Sequence, residues 1–333
     1  MNPAVSVLLP VHNAEATLDK AMRSLLTQDL PDFEVVAVDD GSDDRSLSML
    51  RAFEAKDRRV RVIASGRTGL VGALNRGLAE ASGRYVARMD ADDVSHRSRL
   101  RLQAGFLDEN PETALVGSLV RLFPRNGLKD GMLHYESWVN SLTTHDDIIR
   151  DIFVESPMPH PSVMFRRDAV AALGGYRDMG WPEDYDLWLR MAAAGHGLHK
   201  LPQVLLWWRE GAGRLSRTHG MYSDEGFKRV KLHFLKTWRL TARKLQLWGA
   251  GRDGKAWAKL LKADGFEVVQ FIDIDKKKVG GRACGGIPVV WPADIIKGLP
   301  ILCAVGVKGA RAQIRDYLIA DGYKEPDEFF FLG

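Results

Sequence analysis

Cysteine is nearly missing from this chain. Cys284 and Cys303 are the only two in 333 residues, too few and too far apart for a disulfide framework or a thiolate metal site. A reducing, cytoplasmic setting is expected. Long apolar runs are missing too. None approaches the roughly 18 residues that a membrane-spanning helix needs, and the first residues lack the basic-then-apolar pattern of a signal peptide. Neither sign of charge dominates: the net charge of +4 is small for this length, so no nucleic-acid partner is expected and the pull towards an anionic ligand is slight. With 45% hydrophobic and 27% charged residues the composition is that of a folded protein, and the length allows two domains.

What is present is an alternation. Residues 5–9 (VSVLL) form a continuous apolar run of the kind that is buried on both faces in a parallel sheet. A helical pattern through Leu18, Met22 and Leu25 follows, then a second apolar run at 33–38 ending in Asp39-Asp40-Gly41-Ser42. A further helix, a strand at 60–63, a helix at 69–81 and a strand at 85–89 complete a doubly wound α/β pattern. The last of these strands stops at Asp90-Ala91-Asp92-Asp93. In such sheets ligands bind beyond the carboxyl ends of the strands, so Asp39, Asp40, Asp90, Asp92 and Asp93 are expected to converge on one cleft. Three crowded carboxylates are costly unless neutralised. A hard divalent cation bridging to a phosphate would do this; a solvated acidic turn before a helix also fits an isolated D-x-D.

Taken together, VSVLLPVHNAEATLDKAMRSLLTQ, VVAVDDGSDD, GLVGALNRGLAEASGRYVARMDADD, HPSVMFRRDAVAALGGYRD and EDYDLWLRMAAAG resemble the conserved blocks of family 2 glycosyltransferases with the GT-A fold, in the family's order over roughly the first 220 residues. The resemblance implies a metal-dependent, inverting transfer of a sugar from a nucleoside-diphosphate sugar, uridine being the commonest base, to a glycan or lipid-linked acceptor in cell-surface polysaccharide synthesis. By motif position Asp40, with Asp39 beside it, meets the nucleotide base, and Pro10 and His12 line the same cleft. Asp92 holds Mn²⁺ or Mg²⁺, and Asp90 contacts the ribose or the metal. Asp184 acts as general base, with Glu183 as runner-up. His160 lies near the acceptor or the diphosphate, or is a packed structural histidine. Gly174-Gly175-Tyr176 forms a turn that closes the acceptor site. Trp181 stacks on a sugar or wedges into the core. Trp207-Trp208-Arg209, Arg214, Ser216, Arg217 and His219 follow the last strand, and Arg209 or Arg214 clamps the phosphates or belongs to a solvated basic loop. The chain lacks Q-x-x-R-W, so the transfer of one or a few sugars is expected.

The resemblance gives a domain at 1–222. Residues 223–243 read as a basic amphipathic linker helix, with Val230, Phe234 and Trp238 on one side. That face rests on an anionic membrane as a peripheral contact, or packs on the protein. The pattern then restarts at 244–333: a strand, Gly249-Ala250-Gly251-Arg252-Asp253-Gly254, a helix, and a strand ending at Asp273. This has the spacing of a dinucleotide fingerprint, and with FIDIDKKKVGGRACGGIPVV it is similar to the Rossmann-like nucleotide-binding module ahead of β-helix sugar acyltransferases. No hexapeptide repeat follows, so acyl transfer is not implied. Pro10-Val11-His12-Asn13 carries none of the glycines of a nucleotidyltransferase phosphate loop. The alternatives are a non-catalytic nucleotide-sugar binding or regulatory protein, and an oxidoreductase run by the second domain.

Overall fold

The computed structural model describes residues 3–211, 214, 217 and 219–333; Ser216 lies outside them. The described chain forms two compact units. One takes the residues up to Ile148 with Pro157–Gly226; the other takes Ile149–Ser156 with Phe227–Gly333.

The first unit is built on an eight-stranded mixed sheet. Its strands are β1 (Val5–Val11), β2 (Phe33–Asp39), β3 (Val60–Ala64), β4 (Tyr85–Arg88), β5 (Val94–Ser95), β6 (Thr113–Phe123), β7 (Met164–Arg166) and β8 (Gly197–Arg209), in the order β3-β2-β1-β4-β7-β6-β8-β5. Every residue of β1 is buried, as a central strand covered by helices on both faces must be. It runs parallel to β2 and β4, with Val11 opposite Asp39 and Leu8 opposite Arg88. That register brings the ends of β1, β2 and β4 to one edge, and the acids with them. The antiparallel β7 then interrupts the parallel pattern by pairing with both β4 and β6. Trp207, Trp208 and Arg209 do not follow the last strand, as expected, but form its end: β8 pairs with β6 as far as Phe123 opposite Arg209. Alternating exposure there hides Trp208 and leaves its neighbours half-buried.

The second unit carries a six-stranded sheet of β9 (Lys244–Trp248), β10 (Glu267–Ile272), β11 (Arg282–Ala283), β12 (Ile287–Val290), β13 (Ile301–Cys303) and β14 (Phe329–Phe331), ordered β11-β12-β10-β9-β13-β14. All its pairs are parallel except β11 with β12. Gly249 has φ +106°, and a Cβ there would meet the Ala304 carbonyl at 2.7 Å. A Cβ on Gly254 would sit 1.8 Å from the Gly249 oxygen. Both glycines are therefore required by close backbone packing, whatever else the loop does.

The basic segment is shorter than a helix over 223–243. An α-helix at Asp224–Phe234 passes into a π-helical turn at Leu235–Arg239, closed by Leu240 N donating to Leu235 O (2.7 Å). Val230, Phe234 and Leu235 are buried, so the apolar face is occupied by the protein itself. Lys231 is buried as well, and its ammonium donates to Val154 O (2.8 Å) and Leu332 O (3.0 Å). Arg315 donates to Asp151 Oδ1 (2.7 Å). Ile149–Ser156, inside the stretch expected to belong to the first domain, is thus tied into the second unit. Among the described residues no helix is long and apolar enough to cross a membrane.

Candidate active site

At the end of β2 the two aspartates have different duties. Asp40 Oδ1 accepts from Thr68 N (2.6 Å), Thr68 Oγ1 (2.9 Å) and Gly69 N (3.1 Å), satisfying the free donors at the start of the helix Gly69–Glu80. Asp40 Oδ2 faces Arg67 at 3.6 Å. Asp39 is 2% exposed; Oδ2 accepts from Ser42 N (3.2 Å), while Oδ1 is buried without a partner among the described residues. The orphaned oxygen belongs to Asp39, not Asp40. Asp40→Ala should therefore act on stability, lowering it by about 1–2 kcal/mol through loss of a helix cap, which a urea melt would measure. Pro10 is buried in β1 beside Val38. His12 is exposed and its Nδ1 donates to the Asp40 carbonyl (3.0 Å).

Beyond β4, carboxylate oxygens of Asp90, Asp92 and Asp93 lie within 4.8 Å of one another. Arg88 pairs with Asp90. Burial pushes the Asp90 carboxyl up, but the charge and hydrogen bond of Arg88 outweigh it and hold it below the ordinary range. Among the described residues the Asp92 carboxylate has no such close partner: burial, then repulsion from Asp90, push it up to about 6. Asp93 is pushed well above the ordinary range by burial and by both neighbours. Its Oδ1 accepts from Arg209 N (2.6 Å), and its Oδ2 is buried without a partner among the described residues. Arg209 also donates from Nε to the Asp92 carbonyl (2.7 Å) and lies over the Phe123 ring. Arg209 thus shapes the acid loop instead of reaching out from it. Arg214 bonds to Glu210 (2.9 Å), stacks on Trp208, and its charge acts on all three acids. A crowded, all-oxygen donor set suits a hard divalent metal such as Mg²⁺ or Mn²⁺.

The second acid cluster opens the helix Glu183–Ala193, directly after Pro182. Asp184 is half-buried, and Oδ1 accepts from Tyr185 N (2.7 Å). Glu183 is buried. Oε2 accepts from the Tyr222 hydroxyl (2.6 Å), and Oε1 lies 3.5 Å from His160 Nδ1. Burial raises the Glu183 carboxyl, and the donors from His160 and Tyr222 more than reverse it. His160 is itself buried, with Nε2 at 2.9 Å from the Tyr176 hydroxyl and its ring edge-on to Trp188. Burial, then the charge of Arg88, hold the imidazole below its usual range. Asp186 accepts from Trp181 Nε1 (3.1 Å) and Arg190 Nε (2.7 Å). Trp181 is therefore the buried wedge, not a sugar platform. Arg190 continues to Gly175 O (2.8 Å), and Asn75 Oδ1 accepts from Tyr176 N (2.9 Å); the double-glycine turn thus fixes Tyr176, and through it His160.

Sequence patterns gave no hint of Tyr222, Arg99 or Gln103. Arg99 is fully buried and donates to Arg88 O (2.7 Å), Val163 O (3.2 Å) and Gln103 Oε1 (3.0 Å). Gln103 in turn donates to Val116 O (3.0 Å) and Ser162 O (2.8 Å). The one local signal was a charge inside an apolar strand, at Arg88.

In the second unit Asp273 is occupied. Oδ2 accepts from Ala250 N (2.9 Å) and pairs with Lys278 (3.0 Å), and Oδ1 accepts from Asp275 N (2.9 Å). The carboxylate closes the glycine loop of Gly249 and Gly251 and is not free for a ribose.

Comparison with known proteins bears on the family and the fold. The family model described as "Glycosyl transferase family 2" matches residues 6–174. An amylovoran biosynthesis glycosyltransferase of Erwinia amylovora is 31% identical over 238 residues, covering 70% of this chain and 87% of the relative. The putative glycosyltransferase EpsE of Bacillus subtilis is 30% identical, over 66% of this chain and 78% of its own. Among solved structures, S. aureus TarS with UDP-GlcNAc aligns with TM-score 0.56 at 20% identity, covering 72% of this chain and 68% of TarS. The mannosyltransferase PcManGT of Pyrobaculum calidifontis, with GDP-Man and Mn²⁺, aligns with TM-score 0.51 at 20% identity, over 71% and 62%. These two likenesses speak for the shared GT-A fold. On the family match and the curated relatives, the chain belongs to glycosyl transferase family 2 and is a glycosyltransferase.

Proposed function

We propose that this enzyme is metal-dependent and inverting, takes a nucleoside-diphosphate sugar, and passes the sugar to a hydroxyl of a growing cell-surface glycan. The carrying observation is the pairing of two separate acid clusters: a crowded carboxylate triad at the end of β4, and a half-buried Asp184 beside a Glu183 whose oxygens are both engaged. The polysaccharide context is supported by what relatives such as the amylovoran enzyme are named for. The donor class is supported by the nucleotide sugars bound in TarS and PcManGT.

In this reading Asp92, with Asp93 and Asp90 beside it, holds Mg²⁺ or Mn²⁺, which when bound supplies charge stabilisation for the departing diphosphate. Asp39 Oδ1, the orphaned acceptor, meets an N–H of the base, while Asp40 shapes the turn that presents it. Arg214 adds positive charge at the phosphate end. Asp184 removes the acceptor hydroxyl proton as that oxygen bonds to the anomeric carbon and the carbon–phosphate-oxygen bond breaks, its electron pair leaving with the nucleoside diphosphate. Attack opposite the leaving group inverts the anomeric centre. Glu183 and His160 hold the base in place. The Rossmann-like second unit is assigned to the acceptor or to association, since Asp273 is taken up by its own loop.

Calorimetric titration of UDP, GDP and dTDP, each with and without Mn²⁺, tests the reading. One nucleotide should bind, and only with metal. No binding of any of them under either condition would overturn it.

A further inference from the structure

Tyr222 ends a short 3₁₀ turn, Gly220–Tyr222, and stands 39 residues after Glu183 in the chain. The turn is held from both ends. His219 Nδ1 accepts from Met221 N (3.4 Å), and the His219 carbonyl accepts from Tyr222 N (3.2 Å). Beyond it, Ser223 Oγ accepts from Gly226 N (3.2 Å), and a Cβ on Gly226 would stand 2.2 Å from the Met221 carbonyl oxygen. Tyr222 therefore leaves the backbone at a fixed point. Its hydroxyl donates to Glu183 Oε2 at 2.6 Å, a short bond of the kind made to a charged acceptor. Glu183 is 1% exposed, so water does not compete for it. Its other oxygen, Oε1, faces His160 Nδ1 at 3.5 Å, and His160 Nε2 is 2.9 Å from the Tyr176 hydroxyl. Tyr176 is pinned by its backbone: the amide donates to Asn75 Oδ1 and the carbonyl accepts from Asn75 Nδ2, both at 2.9 Å. A carboxylate only accepts, so His160 carries its proton on Nδ1, and Nε2 of the neutral ring accepts from Tyr176. Burial, then the charge of Glu183, push the Tyr222 phenol above its ordinary range, which keeps it a donor. Four side chains thus form one line between the helix that carries Asn75 and the turn that carries Tyr222.

We propose that Tyr222 is a positioning residue for the general base: its hydroxyl closes the line Tyr222–Glu183–His160–Tyr176 and so holds still the first helical turn, on which Asp184 stands. This rests on the reading of Asp184 as the base, and adds to it a residue from outside the acid cluster and a defined tautomer for His160. Glu183 is the covalent neighbour of Asp184 at the helix start. With both its oxygens engaged it does not turn towards substrate, and Asp184 keeps its direction. Removing the Tyr222 oxygen alone leaves Glu183 Oε2 buried without that donor, and the turn gains freedom. A base misplaced by about 1 Å costs a factor of about 10² in rate.

The test uses the full chain labelled with ¹⁵N-histidine, as wild type, Tyr222→Phe, Glu183→Gln and the double variant. His160→Gln identifies the His160 signals among the nine histidines. Long-range ¹H–¹⁵N spectra should show wild-type His160 protonated at Nδ1 and unprotonated at Nε2, and Tyr222→Phe should shift both nitrogens. The kinetic arm is release of UDP from UDP-GlcNAc and of GDP from GDP-Man, with Mn²⁺ present and water in place of the acceptor. Tyr222→Phe should lower kcat by about 10-fold to 100-fold and leave the donor KM within about twofold. The same change made on Glu183→Gln should cost less than about threefold more, because the charged acceptor is already gone. His160 signals identical in wild type and Tyr222→Phe overturn the proposal, as do two substitutions whose effects simply multiply. If neither donor is hydrolysed, the spectra decide. A slow Asp184→Asn with unchanged His160 spectra overturns the role of Tyr222 alone. A wild-type rate in Asp184→Asn overturns the base reading, and this proposal with it.

Discussion

Replacing Asp184 with Asn should lower kcat by about 10²–10⁴-fold while leaving donor affinity unchanged, because general-base assistance contributes on that scale. An amide keeps the oxygen that accepts from Tyr185 N, so the first turn of the helix is preserved. It cannot take a proton from a sugar hydroxyl. The control lies two residues on. Asp186 is buried against Arg190 and Trp181, and Asp186→Asn should instead destabilise the fold by about 3–5 kcal/mol, the usual effect of breaking a buried ion pair. Steady-state kinetics with a thermal melt on both variants separates the two. Wild-type turnover in Asp184→Asn would remove it from the proton transfer. The search would then move away from Glu183, whose oxygens are already engaged.

Asp92→Ala should abolish metal-dependent nucleotide binding and reduce transfer by about 10³-fold, the equivalent of roughly 4 kcal/mol of lost charge stabilisation. Asp92 is the triad member with the freest carboxylate. Asp90 faces Arg88, and Asp93 carries the Arg209 amide. The variant should also fold at least as well as wild type. Removing one of three repelling carboxylates relieves the repulsion that, with burial, pushes Asp92 up to about 6 and Asp93 well above the ordinary range. Calorimetry with Mn²⁺ and the bound nucleotide, together with a melting curve, reads both effects. Unchanged metal-dependent binding in Asp92→Ala would take this residue out of the metal site.

The frame of the first unit was legible because its signals are local. The runs of β1, β2 and β4 are mostly apolar, interrupted by Ser6, Glu34 and Arg88, and each ends where Pro, Gly or Asp appears, which is what a strand buried on both faces looks like in a sequence. The two acid clusters stood out for the same reason. Harder to read was everything decided by a partner far along the chain. Asp39 and Asp40 are adjacent and alike, and only the helix start at Thr68 decides which of them is occupied. The environment of His160 comes from Tyr176 and Glu183, and that of Glu183 from Tyr222, each many residues away. A buried arginine such as Arg99 looks like any other charge on a helix until the carbonyls around it are known. The fingerprint at Gly249 misled in a related way: its glycines answer to backbone crowding, and the acid at its far end is taken by Ala250 and Lys278.

Ile149–Ser156 has a consequence for the order of events on the ribosome. This stretch leaves the exit tunnel long before Lys231, Arg315 and Leu332, the residues that hold it or complete its surroundings. Ile152, Phe153 and Val154, buried in the folded chain, are thus made before the partners that complete their unit. The turn that holds His160 does not depend on that stretch, because Gln103 donates to Ser162 O and the Tyr176 hydroxyl meets His160 within the first unit. Cutting the chain after Gly226 would leave that stretch without Lys231, Arg315 and Leu332.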